Sequence, residues 1–309
     1  TLNPNTNLFI DLNAISKVNG SNSSNGSNGS DGSNSDKYLK FSEQTNLIIK
    51  NSLNSQSIHV GDLKNLVKSK YNSEIFIINN SDGEVLLFCD AHCIPSHGSI
   101  LSMLHYYLEH CDELNGTLHL PLSYMLDQPG RELIYKLVTD VDKSVVHYSF
   151  TSYSQYKQDR VIKVPCMSTC GMMMSRQIYD QLGGWPKELG IYGGGENFIN
   201  FTLATMGKSI NIFPTRPLFH YAAPRGYNWN YNDYHRNRCI ASYMYGNEDF
   251  AHTYLKNVKG HPLVLQRIYT DVIVGCAGHK EHVKKSQVIG IKEWVKNVAP
   301  DIIASACKS

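Results

Sequence analysis

Leu86-Leu87-Phe88-Cys89-Asp90-Ala91-His92-Cys93 is the stretch from which the fold can be read. Four apolar residues end abruptly in an acid, a small residue and a histidine. A continuous apolar run of this kind reads as a strand buried on both faces, as in the middle of an α/β sheet. Asp90 and His92 then stand two apart where the strand leaves the core. On an extended chain alternate side chains point the same way, so both can converge on one ligand. A carboxylate oxygen with an imidazole nitrogen suits a divalent cation. The plainer alternative is a loop acid beside a chance histidine, and the pair alone does not separate the two.

Working outward, Ile75-Phe76-Ile77-Ile78 predicts a strand, and Asn79 to Gly83 predicts a turn. Glu84 to Cys89 is the next strand. Asp62-Leu63-Lys64-Asn65-Leu66-Val67 has the acidic first turn of a helix. Pro95 to Gly98 breaks the chain, and Ile100 to His110 carries helical periodicity. Strands are expected within 117–126 and 144–165, and an apolar segment runs from Cys170 to Met174. Ser175 can cap a helix through Arg176 to Leu182, which Gly183-Gly184 ends. A loop from Trp185 to Gly195 leads to Glu196-Asn197. A helix from Phe198 to Met206 is closed by Gly207, and Ile210 to Phe213 forms a short strand. This alternation of strands and helices indicates an α/β fold with a mixed sheet. The pattern of 233–309 is mostly helical, as in His235 to Met244 and Ile291 to Val298. It predicts a C-terminal extension that packs against or covers the site.

The chain has 309 residues, 41% of them hydrophobic, which suits one large domain with or without an appendage. The net charge of +2 gives no footprint for nucleic acid or an acidic membrane. No apolar run reaches 18 residues, so no transmembrane helix is expected, and no charged-then-apolar leader opens the chain. Its first residue, Thr1 rather than Met, allows for a segment upstream. Residues 19–36, NGSNSSNGSNGSDGSNSD, form a low-complexity loop or linker that cannot bury apolar surface. The eight cysteines are too sparse for a disulfide scaffold and indicate reduced thiols in a cytoplasmic setting. Cys166 and Cys170 are four apart with no second pair, which argues against a structural zinc site. Sequons occur at Asn79, Asn115 and Asn200 among others, and the last falls in a predicted helix, which argues against an ER route.

Four signals then stand in fixed order: Gly83 to Pro95 with its Asp-x-His; Gly171 leading to Leu182-Gly183-Gly184-Trp185; Tyr192-Gly193-Gly194-Gly195-Glu196-Asn197; and Pro214 followed by His220. Together they resemble the GT-A glycosyltransferases of the family-2 superfamily. The nearest subset is that of the polypeptide N-acetylgalactosaminyltransferases, which carry Asp-x-His. The likeness covers about residues 70–225, and residues 1–70 and 235–309 lie outside it. It implies a Rossmann-like GT-A domain over 1–232, followed by the helical extension 233–309. It also implies that Asp90, His92 and His220 hold a divalent metal, Mn²⁺ ahead of Mg²⁺ because two ligands are nitrogens. The donor would be a nucleotide-diphosphate sugar, with UDP the commonest nucleotide in that subset. The metal would act as a Lewis acid on the leaving diphosphate.

The resemblance gives Glu196 and Asn197 the catalytic position. An Asp is usual where Asn197 stands and serves inverting relatives as base. Asn197 therefore points towards the retaining relatives, in which the Glu positions the sugar. For Glu196 the plain alternative is a first-turn acid on a helix dipole. Gly194 and Gly195 are read as flexible backbone that lets a ligand approach. Gly171 corresponds to the place where the donor sugar meets the backbone. Trp185 is either an acceptor-side wall or a core residue. In the aromatic and basic segment 220–238, Arg225, Tyr227 and Trp229 would form a lid over the nucleotide or a platform for the acceptor. The acceptor is open among glycan, protein and small molecule. Nucleic acid stands behind these because of the low net charge, although interleaved Arg and aromatics could stack bases. Two further readings are a non-catalytic carbohydrate- or partner-binding module and a metal hydrolase.

Overall fold

The computed structural model describes residues 78–79, 81–90, 92–124, 131–221 and 229–308. In chain order the first elements are β1 (Val85–Phe88), β2 (Cys93–Pro95), α1 (Ser99–Leu114), β3 (Gly116–His119), β4 (Leu122–Ser123), β5 (Leu133–Asp140) and β6 (Val145–Ser152). They are followed by β7 (Ile162–Val164), β8 (Met172–Ser175), α2 (Arg176–Gln181), α3 (Gly195–Thr205), β9 (Ser209–Ile212) and β10 (Leu218–His220). The C-terminal part is helical: α4 (Tyr231–Tyr245), α5 (Glu248–Lys256), α6 (Pro262–Gly275), α7 (Ala277–Lys284), α8 (Ile291–Glu293) and α9 (Ala299–Ala306).

The expected mixed sheet is present as two sheets. One has the order β1-β8-β3-β9-β7, and the other β2-β10-β4-β5-β6. In the first, only β3 and β9 run parallel; in the second, only β10 and β4 do. The apolar run forms β1 with Leu86, Leu87 and Phe88 buried. It pairs antiparallel with β8, whose Met172, Met173 and Met174 are fully buried. Continuous apolar sequence on both strands follows from burial of both faces. Helix α1 buries Met103 and Tyr107, one turn apart on one face. The Tyr107 hydroxyl donates to Gly116 O at 3.0 Å and accepts from Ser175 N at 2.8 Å, which ties α1 to two strands.

Two helix ends follow the sequence closely. Ser175 Oγ accepts from Ile178 N and caps α2, and Gly183 and Gly184 leave it with φ of 75° and 71°. Helix α3 begins three residues earlier than the pattern predicts, at Gly195. From Asn197 to Thr205 every residue of α3 is buried, so the helix lacks an amphipathic stripe. The C-terminal helices share one apolar core with the sheets through Ile268, Val272, Val283 and Trp294. Lys157 N donates to Ala306 O, and Tyr156 forms a bridge with Cys307, so α9 closes onto the chain just before β7.

Some expectations differ. The predicted strand at 75–78 lies outside the described residues except for Ile78, which is buried and helical. The expected helix at 62–67 and the tract 19–36 also lie outside them. Strands β2, β5 and β10 were not foreseen. β2 and β10 are three residues each, too short to show a period, and β2 ends in a proline, which an edge strand tolerates. Among the described residues no helix is long and apolar enough to cross a membrane. All eight cysteines are free, and Asn200 is fully buried.

His119 gives this core a pH limit. Its Nδ1 donates to Ser168 O at 2.8 Å, and its Nε2 accepts from Thr117 Oγ1 at 2.7 Å, an arrangement for the neutral ring. Burial drives its pKa from 6.5 down to about 4. The folded state therefore resists a proton that the unfolded chain takes up, and stability falls as pH drops from 6.5 towards 4. The expected loss from His119 is about 3 kcal/mol. Urea unfolding at a series of pH values should show it, and His119→Gln should flatten that part of the profile.

Candidate metal centre and its surroundings

Asp90 lies two residues beyond β1. Cys93 N donates to Asp90 O at 3.0 Å, closing a turn over Asp90 to Cys93. The two side chains thus meet through a turn, and not along an extended strand as their spacing suggests. His220 ends β10, which pairs antiparallel with β2 so that His220 stands opposite Cys93. Tyr221 N also donates to His92 O at 3.2 Å. This pairing brings His220 Nε2 to 3.1 Å from His92 Nε2 and 3.4 Å from Asp90 Oδ2. His92 Nε2 stands 3.9 Å from the same oxygen.

These three donors fit a divalent cation. Two imidazole nitrogens facing one another at 3.1 Å cannot both donate, and a shared cation engages both lone pairs at once. Around His220, burial disfavours a charged ring. Its hydrogen bonds to Asp90 and Cys170, together with the Asp90 charge, outweigh that and push its pKa up to about 10. The pocket is thus tuned to hold positive charge next to Asp90.

Two thiols adjoin the triad. Cys170 Sγ lies 3.0 Å from Asp90 Oδ2. Its pKa is held well above the ordinary thiol value by the hydrogen bond with Cys93, by burial and by the Asp90 charge. For Cys93 the Cys170 bond acts downward, but the bond with Cys89, burial and the nearby negative charge prevail and raise it. Thr169, the residue before Cys170, donates from Oγ1 to Glu196 Oε1 at 3.3 Å. One short loop therefore touches both carboxylates. Gly171 fixes that loop: its N–H donates to Phe88 O at 2.8 Å, and its carbonyl accepts from Leu120 N. Its φ is 73°, and a Cβ there would press on Leu218.

Sequence reasoning missed Thr169, Cys93, Cys170 and Tyr124 as site residues. The Tyr124 ring stands 5.2 Å from that of His220 and meets exposed Phe150 edge-on at 5.7 Å. Both cysteines were visible in the sequence, but their meeting is made by the β1–β8 and β2–β10 pairings, which leave no local signal.

Other expected site residues lie elsewhere. Asn197 is 2% exposed and donates from Nδ2 to Val146 O at 2.9 Å, so it ties α3 to β6 and faces the core. Trp185 is 3% exposed, packed against Phe88 and Phe198, so of its two expected roles the core one matches its position. Gly194, at φ 77°, and Gly195 are buried, and a Cβ on Gly194 would collide with the Asn237 carbonyl on α4. The close approach at Gly194 is to a helix, not to open space for a ligand. Trp229 is 44% exposed and rests on Tyr192 and Tyr234 at 5.1 and 5.6 Å. Arg225 and Tyr227 lie outside the described residues. Arg238 spends its charge on the faces of Tyr234 and Tyr254.

No family model matches the chain. It is 24% identical over 149 residues to a Probable N-acetylgalactosaminyltransferase 9 from Caenorhabditis elegans, matching 45% of this chain and 24% of that protein. Its structure is similar to the crystal structure of GalNAc-T7 with UDP, GalNAc and Mn²⁺, with a TM-score of 0.56 and 15% identity. That likeness covers 77% of this chain and 44% of the other. The chain thus spans about a quarter of the curated relative's length and under half of the solved chain's. The fold is of the GT-A glycosyltransferase type and resembles that of the polypeptide GalNAc-transferases.

Glycine positions offer a direct check of the packing behind Glu196. Gly98 also has a positive φ, 75°, but open space where a Cβ would go. Gly98→Ala should cost about 1 kcal/mol from backbone strain alone. Gly194→Ala should cost at least twice that, since the α3–α4 contact must also open. Denaturant unfolding of the two variants measures the difference.

Proposed function

We propose that this protein is a divalent-metal-dependent glycosyltransferase. Its donor is a nucleotide-diphosphate sugar, most simply a UDP-hexose or UDP-N-acetylhexosamine, and its acceptor is a hydroxyl. The observation that carries the reading is the convergence of Asp90, His92 and His220 from two distant chain segments, coupled through Thr169 and Cys170 to Glu196. The names of the similar proteins, with their N-acetylgalactosamine, UDP and Mn²⁺, support it.

A Mn²⁺ or Mg²⁺ held by Asp90, His92 and His220 would neutralise charge on the departing nucleoside diphosphate. The chain's own residues do the rest. Glu196 sits in the first turn of α3, where the helix dipole favours its carboxylate, and Thr169 steadies Oε1. It is placed to accept a hydrogen bond from a sugar or acceptor hydroxyl. With Asn197 turned into the core, this segment offers Glu196 without a neighbouring base, which supports retention over inversion. Tyr124 and Phe150 present exposed faces beside His220, and such faces suit a sugar ring. We further infer that residues 233–309 are an extension that buttresses the helix carrying Glu196, since α4 packs along α3. The free thiols and the buried sequon at Asn200 support a cytoplasmic setting.

A panel of UDP-sugars incubated with the protein and Mn²⁺ tests the reading. Wild type should release UDP and free or transferred sugar only with the metal. Asp90→Asn and His220→Ala should each reduce turnover by about 100-fold or more while the melting profile is kept. Normal turnover in either variant sinks the assignment. Nucleotide binding without turnover in wild type would instead make the protein a binding module.

A further inference from the structure

The metal triad does not exhaust the ligands at this spot. Cys93 Sγ, Cys170 Sγ and a ring nitrogen of His220 lie within 4.8 Å of one another. All three are set by backbone pairing, not by loose side chains. Cys93 opens β2, directly across from His220. Cys170 is held by its own N–H on Ser168 Oγ at 3.1 Å and by the next residue's bond to Phe88 O. Two sulfurs and a nitrogen on a rigid frame are a soft ligand set, unlike the oxygen and two nitrogens beside them.

We propose that Cys93, Cys170 and His220 form a second cation site, selective for a soft tetrahedral ion of the zinc or cadmium class, which shares His220 with the Asp90–His92–His220 set. Zinc with sulfur at about 2.3 Å places neighbouring ligand atoms about 3.8 Å apart, so small side-chain shifts complete the geometry. Asp90 Oδ2 is in place as fourth ligand, 3.0 Å from Cys170 Sγ and 3.4 Å from His220 Nε2. On binding, the cation replaces the two thiol protons, which pass to the buffer, and no oxidation occurs. His220 serves one ion at a time. A soft ion therefore takes His220 and Asp90 from the hard site, and the two metals exclude each other. Sequence spacing hides this site because the local Cys166–Cys170 pair is not the one that the fold brings together.

The site goes beyond the proposed activity and is read without it. The full chain, reduced and metal-free, is titrated with Cd²⁺ and separately with Co²⁺ while absorption is recorded. One equivalent should develop a thiolate-to-metal charge-transfer band, and Zn²⁺ should displace Co²⁺ and bleach its band. The band should persist in His92→Ala, which touches only the hard set. It should vanish in the Cys93→Ser, Cys170→Ser double variant, with Cd²⁺ affinity down about 100-fold or more. Circular dichroism and melting of that variant should match wild type. In a competition, Zn²⁺ should release bound Mn²⁺ from wild type, seen as the signal of free Mn²⁺, at a lower concentration than from the double variant, whose remaining Asp90–His92–His220 set itself prefers Zn²⁺ to Mn²⁺. Absence of the band in wild type, or its survival in a folded double variant, overturns the proposal. Failure of the UDP-sugar assay with the band intact overturns only the glycosyltransferase reading.

Discussion

Two three-residue strands hold the candidate centre together: β10 lies antiparallel to β2, with His220 opposite Cys93. The pair is fastened at both ends, by Tyr221 N on His92 O and by Ser96 Oγ on Pro217 O. On its other side β10 runs parallel to β4 through Leu218 and Phe219. A one-residue slip would turn the His220 side chain to the opposite face and leave Asp90 with His92 alone. Backbone pairing of two short strands thus decides whether three donor atoms meet.

A second constraint runs through the loop Ser168–Gly171. Consecutive residues, Thr169 and Cys170, reach Glu196 and Asp90 respectively. The loop is closed on β1 and β3 by the two backbone bonds of Gly171. Its left-handed conformation costs a glycine little and would strain any other residue. A displacement of this loop would move both carboxylates together, which is how a rigid scaffold keeps two groups at a fixed separation.

Glu196 itself stands on a helix that is enclosed on nearly every side. Helix α3 packs on α4 through Gly194, on β6 through Asn197, and on the Cys166–Met167 segment through Asn200, whose side chain bonds Met167 at both N and O. Asn197 and Asn200 of α3 are therefore structural fasteners, each hydrogen-bonded as burial requires. Lys280 makes a similar fastening at the end of α4, donating to Met244 O and Gly246 O.

The sequence by itself determined much of the local structure. The apolar run before Asp90, the Ser175 cap, the Gly183-Gly184 stop and the helices at 100–110, 176–182 and 235–244 all rest on periodicity and capping, which act within a few residues. The resemblance carried by Asp90, His92, Glu196 and His220 pointed to the GT-A type of fold. Only the tertiary structure decided which side chains share a space. It turned Asn197 and Trp185 inward, gave Gly194 to helix packing, and brought Cys93, Cys170 and Thr169 to the carboxylates. It also made the Asp90–His92 convergence a turn, closed by one backbone hydrogen bond. The physical reason is that strand pairing and close packing join residues 80 to 128 positions apart. A local pattern carries no trace of such a pairing.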